Sequence, residues 1–133
     1  MSGRLPPRLL GAVAACALTG CAMGRNEFIP LNAGTSFASR PVGAPVVLTV
    51  GDLDRGYQEI GVIHVIGQSR LNYEQLNEQM RAKAREAGAD AVIFVRYGRE
   101  HAFSLGPFSA VLLTAEGLAV RSQSADASIG GTR

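Results

Sequence analysis

Three stretches of this chain alternate like β-strands yet are apolar on both faces, and a single helical pattern is available to cover them. In residues 60–66, Ile60, Val62, His64 and Ile66 share one face and Gly61, Ile63 and Val65 the other. In residues 91–97 the faces are Ala91, Ile93, Val95 and Tyr97 against Val92, Phe94 and Arg96. Further on, Val111, Leu113 and Ala115 oppose Ala110 and Leu112. A sheet with one wetted face alternates apolar and polar residues, and these strands do not. Burying a Val, Leu or Ile contributes roughly 1.5–3 kcal/mol. About five or six of them left in water would forfeit much of a marginal stability of about 5–15 kcal/mol. The second face therefore needs cover: self-association, a partner protein, or the segment 28–37 folding back. Val92, Phe94, Ile60, Val62 and His64 form the expected interaction surface.

The elements around these strands follow from local signals. Residues 46–50 are a short β-branched run stopped by Gly51-Asp52, a turn signal. Residues 57–67 form a second strand. Asn72 then offers a helix N-cap, and Gln75 three positions later completes a capping-box pattern. Tyr73, Leu76, Met80, Ala84 and Ala87 fall on one helical stripe. Glu74, Glu78, Arg81, Arg85 and Glu86 occupy the other side, and Gly88 ends the helix as a residue able to take positive φ. Residues 91–97 make the next strand, 98–108 a loop, and 109–121 the last strand. The predicted order is β-β-α-β-β, an α+β fold with one helix packed on a small mixed sheet. At 133 residues the chain has room for one such domain, over residues 46–121. Residues 122–133 look like a disordered tail.

The N-terminus addresses the chain to a membrane. Arg4 and Arg8 precede ten apolar residues, 9–18, which make about 15 Å of helix. That is half of the roughly 30 Å of bilayer hydrocarbon, so residues 1–20 are predicted to be a signal peptide and not an anchor. The run closes in Leu18-Thr19-Gly20-Cys21, which resembles the lipobox of bacterial lipoproteins. The resemblance implies cleavage between Gly20 and Cys21 and acylation of Cys21. Val13-Ala14-Ala15-Cys16 fits more loosely, with only seven residues between Arg8 and Cys16. Two or three acyl chains would hold the protein firmly, since one gives only reversible binding. Ala22 is not the Asp that resembles an inner-membrane retention signal, so the implied location is the periplasmic face of the outer membrane. Residues 21–45 then carry the lipidated Cys and a linker rich in Gly and Pro. As a random coil its reach is about 25–30 Å. The alternative is a partly ordered arm docking Phe28, Ile29, Leu31 and Phe37.

Charge and side-chain inventory exclude several functions. Of 13 Lys+Arg, two leave with the signal, so 11 basic side chains face 11 acidic ones. A neutral mature chain has no electrostatic reason to bind nucleic acid. Cys16 leaves with the signal and Cys21 becomes a thioether, so the domain has no disulfide, free nucleophile or thiolate ligand. Of the two histidines, His64 sits in an apolar strand and reads as a core or interface residue, and His101 lies beside Glu100 in the predicted loop. No spacing supplies the three or four convergent ligands that zinc wants, and neither metal nor cofactor is expected. Asp52 and Asp54 suit turn use better than paired-carboxylate catalysis, and Asp90 reads as a turn residue bonding local amides. No nucleophile–base pattern is legible, and the expectation is a protein that is not an enzyme.

The stretch Arg81-Ala82-Lys83-Ala84-Arg85-Glu86-Ala87-Gly88-Ala89-Asp90-Ala91-Val92-Ile93, with Glu116-Gly117-Leu118-Ala119-Val120-Arg121 closing the last strand, resembles the YbjQ-type family of small bacterial proteins. It is also similar to the related domain of RcsF-type outer-membrane lipoproteins, which sense envelope stress. The resemblance covers residues 57–121. It implies a helix on a small sheet and, for YbjQ-type members, ring oligomers that would suit a doubly apolar sheet. RcsF-type proteins carry disulfides, and residues 22–133 contain no Cys. The expected function is thus a membrane-anchored binding or assembly module, held by lipid at Cys21 and partnered by its own copies or another envelope protein. The alternatives are a stress sensor resembling RcsF-type proteins and a small-ligand or metal-binding envelope protein.

Overall fold

The computed structural model describes residues 25–67 and 72–123. Five strands and one helix follow in the order β1 (Arg25–Pro30), β2 (Val47–Leu48), β3 (Tyr57–Ile66), α1 (Tyr73–Ala87), β4 (Ala91–Leu105) and β5 (Phe108–Ser122). They build one sheet, β1-β3-β5-β4-β2, in which β2 runs parallel to β4 and every other pair is antiparallel. One helix on a small mixed sheet is the expected α+β class, with one strand, β1, more than expected.

Helix α1 forms where its sequence dictates. Asn72 Oδ1 accepts from the Gln75 backbone N–H at 2.9 Å, and Gln75 Oε1 accepts from the Asn72 N–H at 3.2 Å. Leu76, Met80 and Ala84 are fully buried against the sheet, and Gly88 ends the helix at φ 84°. Their partners are Ile63 and Val65 of β3, Val92 and Val95 of β4, and Ala115 and Ala119 of β5.

The linker expectation for residues 21–45 is corrected by the structure over residues 25–45, residues 21–24 lying outside the described residues. Residues 25–30 pair with β3 from Arg25↔Ile66 to Pro30↔Gly61. The segment after β1 closes the C-terminal end of α1, whose last carbonyls have no partner within the helix. Arg40 N–H donates to Arg85 O at 2.8 Å, Ser39 Oγ to Glu86 O at 2.7 Å, and Arg85 Nε to Ala44 O at 2.7 Å. Phe37 packs on the core with the Arg121 guanidinium 5.0 Å from its ring centre. Gly and Pro here shape a fitted turn path. The apolar residues among them, Phe28 and Phe37, hold it down.

The predicted loop 98–108 is also corrected. β4 continues to Leu105 and β5 begins at Phe108, so a Gly106-Pro107 turn closes a long hairpin. Gly98 is a strand residue opposite Thr114, where a Cβ would stand 2.8 Å from Thr114 Oγ1. It serves close strand approach, not a turn. Asp90 bonds across the fold: both its carboxylate oxygens accept from the Ser122 N–H at 3.0 Å, and Ser122 Oγ donates to Oδ1 at 3.2 Å. Ser122, assigned to the tail, is therefore the end of β5, and residues 124–133 lie outside the described residues.

Candidate functional site

The described strands hold three register shifts, the outermost between His101 and Phe103 in the hairpin. The two β-bulges nearer the helix decide which residues the sheet presents. β3 pairs Glu59 with Val120 and Gly61 with Ala119, leaving Ile60 as the extra residue. β4 pairs Ile93 with Leu118 and Arg96 with Glu116, so Phe94 and Val95 together oppose Gly117. Each extra residue shifts the two-residue alternation of everything beyond it. Ile60 turns into the helix-side core at 4% exposure, and Val92 lies there fully buried. Both are removed from the expected interaction surface. Val62, His64 and Phe94 stay on the face away from α1, where Val62 and Phe94 line a shallow open depression with Arg96, Glu116 and Leu118.

That face is striped. One register row runs Glu27, His64, Glu116, Arg96, and the next runs Ile29, Val62, Leu118, Ile93. Ile93 at the end of that row is fully buried, as are Ala91 and Val120 beyond it, with Leu53 and Tyr57 packed against them. The loop between β2 and β3 thus roofs one end of the second face. The segment 28–37 does fold back, but its Phe28 and Phe37 join the core on the helix side. Among the described residues, the apolar side chains left partly open on the striped part of that face are Ile29, Val62, Leu118 and Phe94, with Ile66 and Leu112 on the same face toward the β4–β5 turn.

Phe94 is the unusual residue here. Its φ is +53°, the only positive value among described residues other than glycine, and its side chain is 44% exposed. In a bulge of this kind the left-handed position normally falls to glycine, and a residue with a Cβ there costs roughly 1–2 kcal/mol. The fold holds it by pairing the bulge with the irregular continuation of β2: Phe94 N–H donates to Gly51 O at 3.2 Å and Val95 N–H to Thr49 O at 3.0 Å. Gly117 makes room opposite, since a Cβ there would lie 2.5 Å from Val92 Cγ1.

The polar row offers no legible chemistry of its own. His64 stands half-buried between Glu27 and Glu116 in register. Among the described residues no group of three or more His, Cys, Asp or Glu is placed to hold a metal ion. Asp52 Oδ1 accepts from Leu53 N–H and from Tyr57 Oη, both at 2.7 Å, which is turn use. The bond to that carboxylate, with partial desolvation and the charge itself, holds the Tyr57 phenol above its ordinary pKa. His101 lies exposed in β4 and not in a loop.

Residues 1–20, Gly20 and Cys21 lie outside the described residues. Among those described, no helix is long and apolar enough to cross a membrane. Sequence reasoning missed both bulges, although a glycine inside a strand pattern signals a bulge or a close approach. Gly61 adjoins the first and Gly117 faces the second.

No family model and no curated protein matches the chain. Among solved structures it is similar to a protein of unknown function of the DUF74 family from Pediococcus pentosaceus ATCC 25745. The identity is 14% and the TM-score 0.51, over 59% of this chain and 98% of that one. A likeness at that identity shows the fold alone, which is the helix-on-sheet domain described above.

Proposed function

We propose that this protein is a lipid-anchored lipoprotein of the periplasmic face of the outer membrane, whose α+β domain works by binding or assembly and not by catalysis. The observation that carries the reading is Cys21 in Leu18-Thr19-Gly20-Cys21, set directly behind an apolar run of ten residues and the basic pair Arg4 and Arg8. The contact surface is the stripe of Ile29, Val62 and Leu118 with Phe94. An aromatic kept half in water by a strained backbone is poorly explained by folding alone, and a partner that covers it recovers that burial. A second copy of this chain is the first partner to test.

Intact-mass spectrometry of the mature N-terminus, from a lipoprotein-processing bacterial host, is expected to show acylated Cys21 and loss of residues 1–20. An unmodified Cys21 refutes the anchor. A soluble chain beginning at residue 22 is expected to run as a multimer in light scattering. Phe94→Asn, which suits the left-handed conformation better, is expected to stay folded and run as a smaller species. A parent that is monomeric at high concentration refutes self-assembly.

A further inference from the structure

The geometry points to the β4–β5 hairpin as a second, shallow membrane contact beside the acyl chains of Cys21, an inference that rests on the acylation proposed above. The strand register brings three features to one end of the sheet. β1 begins there, with Arg25 opposite Ile66, Ile66 opposite Thr114, and Thr114 opposite Gly98. The anchor enters at that end, because Cys21 precedes Arg25 by four residues. The hairpin leaves the sheet at the same end: after a last bond from Gly67 N–H to Leu113 O at 2.8 Å, its strands pair with each other and, among the described residues, with no third strand.

Lengths make contact with the leaflet hard to avoid. Four residues from Cys21 to Arg25 span at most about 14 Å fully extended. From Thr114 to Phe108 the ribbon advances six residues, roughly 20 Å at strand rise. It outreaches the link by about 6 Å. β1 and β5 are two positions apart in the sheet, so anchor and ribbon are separated sideways by only about 10 Å. An upright domain drives the turn below the headgroups, and a tilted one lays the ribbon along them.

The composition of the ribbon suits that place. From residue 102 to 115 there is no charged side chain, and the turn end reads Phe103-Ser104-Leu105-Gly106-Pro107-Phe108. Arg99 and Glu100 fall at the base of the ribbon, paired with Leu113 and Leu112. Charge at headgroup level and apolar residues beyond it is the pattern of a segment lying in the interface, where apolar groups sit about 5–10 Å deep. Insertion stops there, because among the described residues both ribbon edges beyond Leu113 and Gly98 lack a partner strand, and hydrocarbon cannot satisfy backbone groups left that way.

The test uses the full-length protein, processed in its host, purified in detergent and reconstituted into phosphatidylethanolamine–phosphatidylglycerol vesicles. With Cys21 blocked as a thioether, Pro107→Cys supplies one reactive thiol at the turn for an environment-sensitive dye, and Arg55→Cys supplies one in the exposed loop before β3. The dye at 107 is expected to shift to the blue and to be quenched by lipids brominated near the headgroup at least twofold more than the dye at 55. Adding Phe108→Glu is expected to abolish the difference. Equal quenching at both positions overturns the inference, as does energy transfer between copies labelled at 107 without lipid quenching, which assigns the ribbon to a second copy. Intact mass on the same sample separates the failures. Unmodified Cys21 sinks the anchor itself, whereas acylated Cys21 with an aqueous dye at 107 sinks the ribbon contact alone.

Discussion

Replacing Gly61 with Ala asks whether residues 25–30 are built into the domain or merely lead to it. A Cβ at Gly61 would lie 2.3 and 2.4 Å from the Phe28 ring and 2.6 Å from the Ile29 carbonyl oxygen. The ring can turn toward the open depression it lines with Lys83, Glu86 and Ala87, but the carbonyl is main chain of β1, so the methyl must push the strand off β3. Overpacking of this kind costs about 1–3 kcal/mol. Partial loss of Phe28 burial adds about 1 kcal/mol, roughly half the value for a fully buried side chain. Together these predict a loss of about 2–4 kcal/mol, a large share of a total near 5–15 kcal/mol. The assay is urea unfolding of a chain beginning at residue 22, followed by circular dichroism, with hydrogen exchange reporting β1 amides separately from β5. Phe28→Ala in the Gly61→Ala background relieves the ring but not the carbonyl. The double variant should therefore cost less than the sum of the singles by about 0.5–1 kcal/mol, yet stay below Phe28→Ala alone. A Gly61→Ala chain within about 0.5 kcal/mol of the parent, with β1 exchange unchanged, would refute the packing argument and return residues 21–45 to a free linker.

Gly88→Ala places a Cβ at φ 84° and 2.8 Å from both Ala38 O and Phe37 Cβ, so thermal unfolding should show a loss of at least about 1–2 kcal/mol, with the arm over the helix end losing exchange protection first. Gln79 Oε1 is buried without a hydrogen-bond partner. Gln79→Leu removes that unsatisfied acceptor and should stabilise by about 1 kcal/mol in urea titration. Tyr57 has its pKa raised by its bond to Asp52. Above the ordinary phenol value of about 10, the unfolded chain has released a proton that the native one still holds. The contribution is thus intact below about pH 10 and falls away as pH rises through the native value. The urea midpoint should drop more between about pH 9 and 11 for the parent than for Tyr57→Phe, and equal drops would contradict the assignment.

What was legible in the sequence is what depends on short-range chemistry. The Asn72–Gln75 cap, the stripe of Leu76, Met80 and Ala84, and the Gly88 stop all act within one or two helical turns, and all appear where their spacing puts them. The strands β3 and β4 were legible as strands, but not the faces they show. Strand parity survives only while the ladder is regular, and one extra residue at Ile60 and another at Phe94 moved Ile60 into the core and separated Val95 from Ile93. β1 was hidden for a different reason. Its Arg25-Asn26-Glu27-Phe28-Ile29-Pro30 has no clean alternation, and it is a strand because Gly61 leaves a slot for Phe28. That is a property of the pair, which neither segment displays alone. The hairpin was masked by Gly98, Gly106 and Pro107, of which only the last two form the turn.

The position of β1 at the border of the sheet also has a mechanical meaning. Any tug arriving through residue 24 enters the domain at Arg25, the first of six register pairs with β3. A load drawn along the strand axis must shear all six together, whereas one drawn sideways peels them singly from the Arg25 end. The same fold is then stiff or yielding according to the direction from which it is pulled, and the orientation of the domain on its support selects between the two.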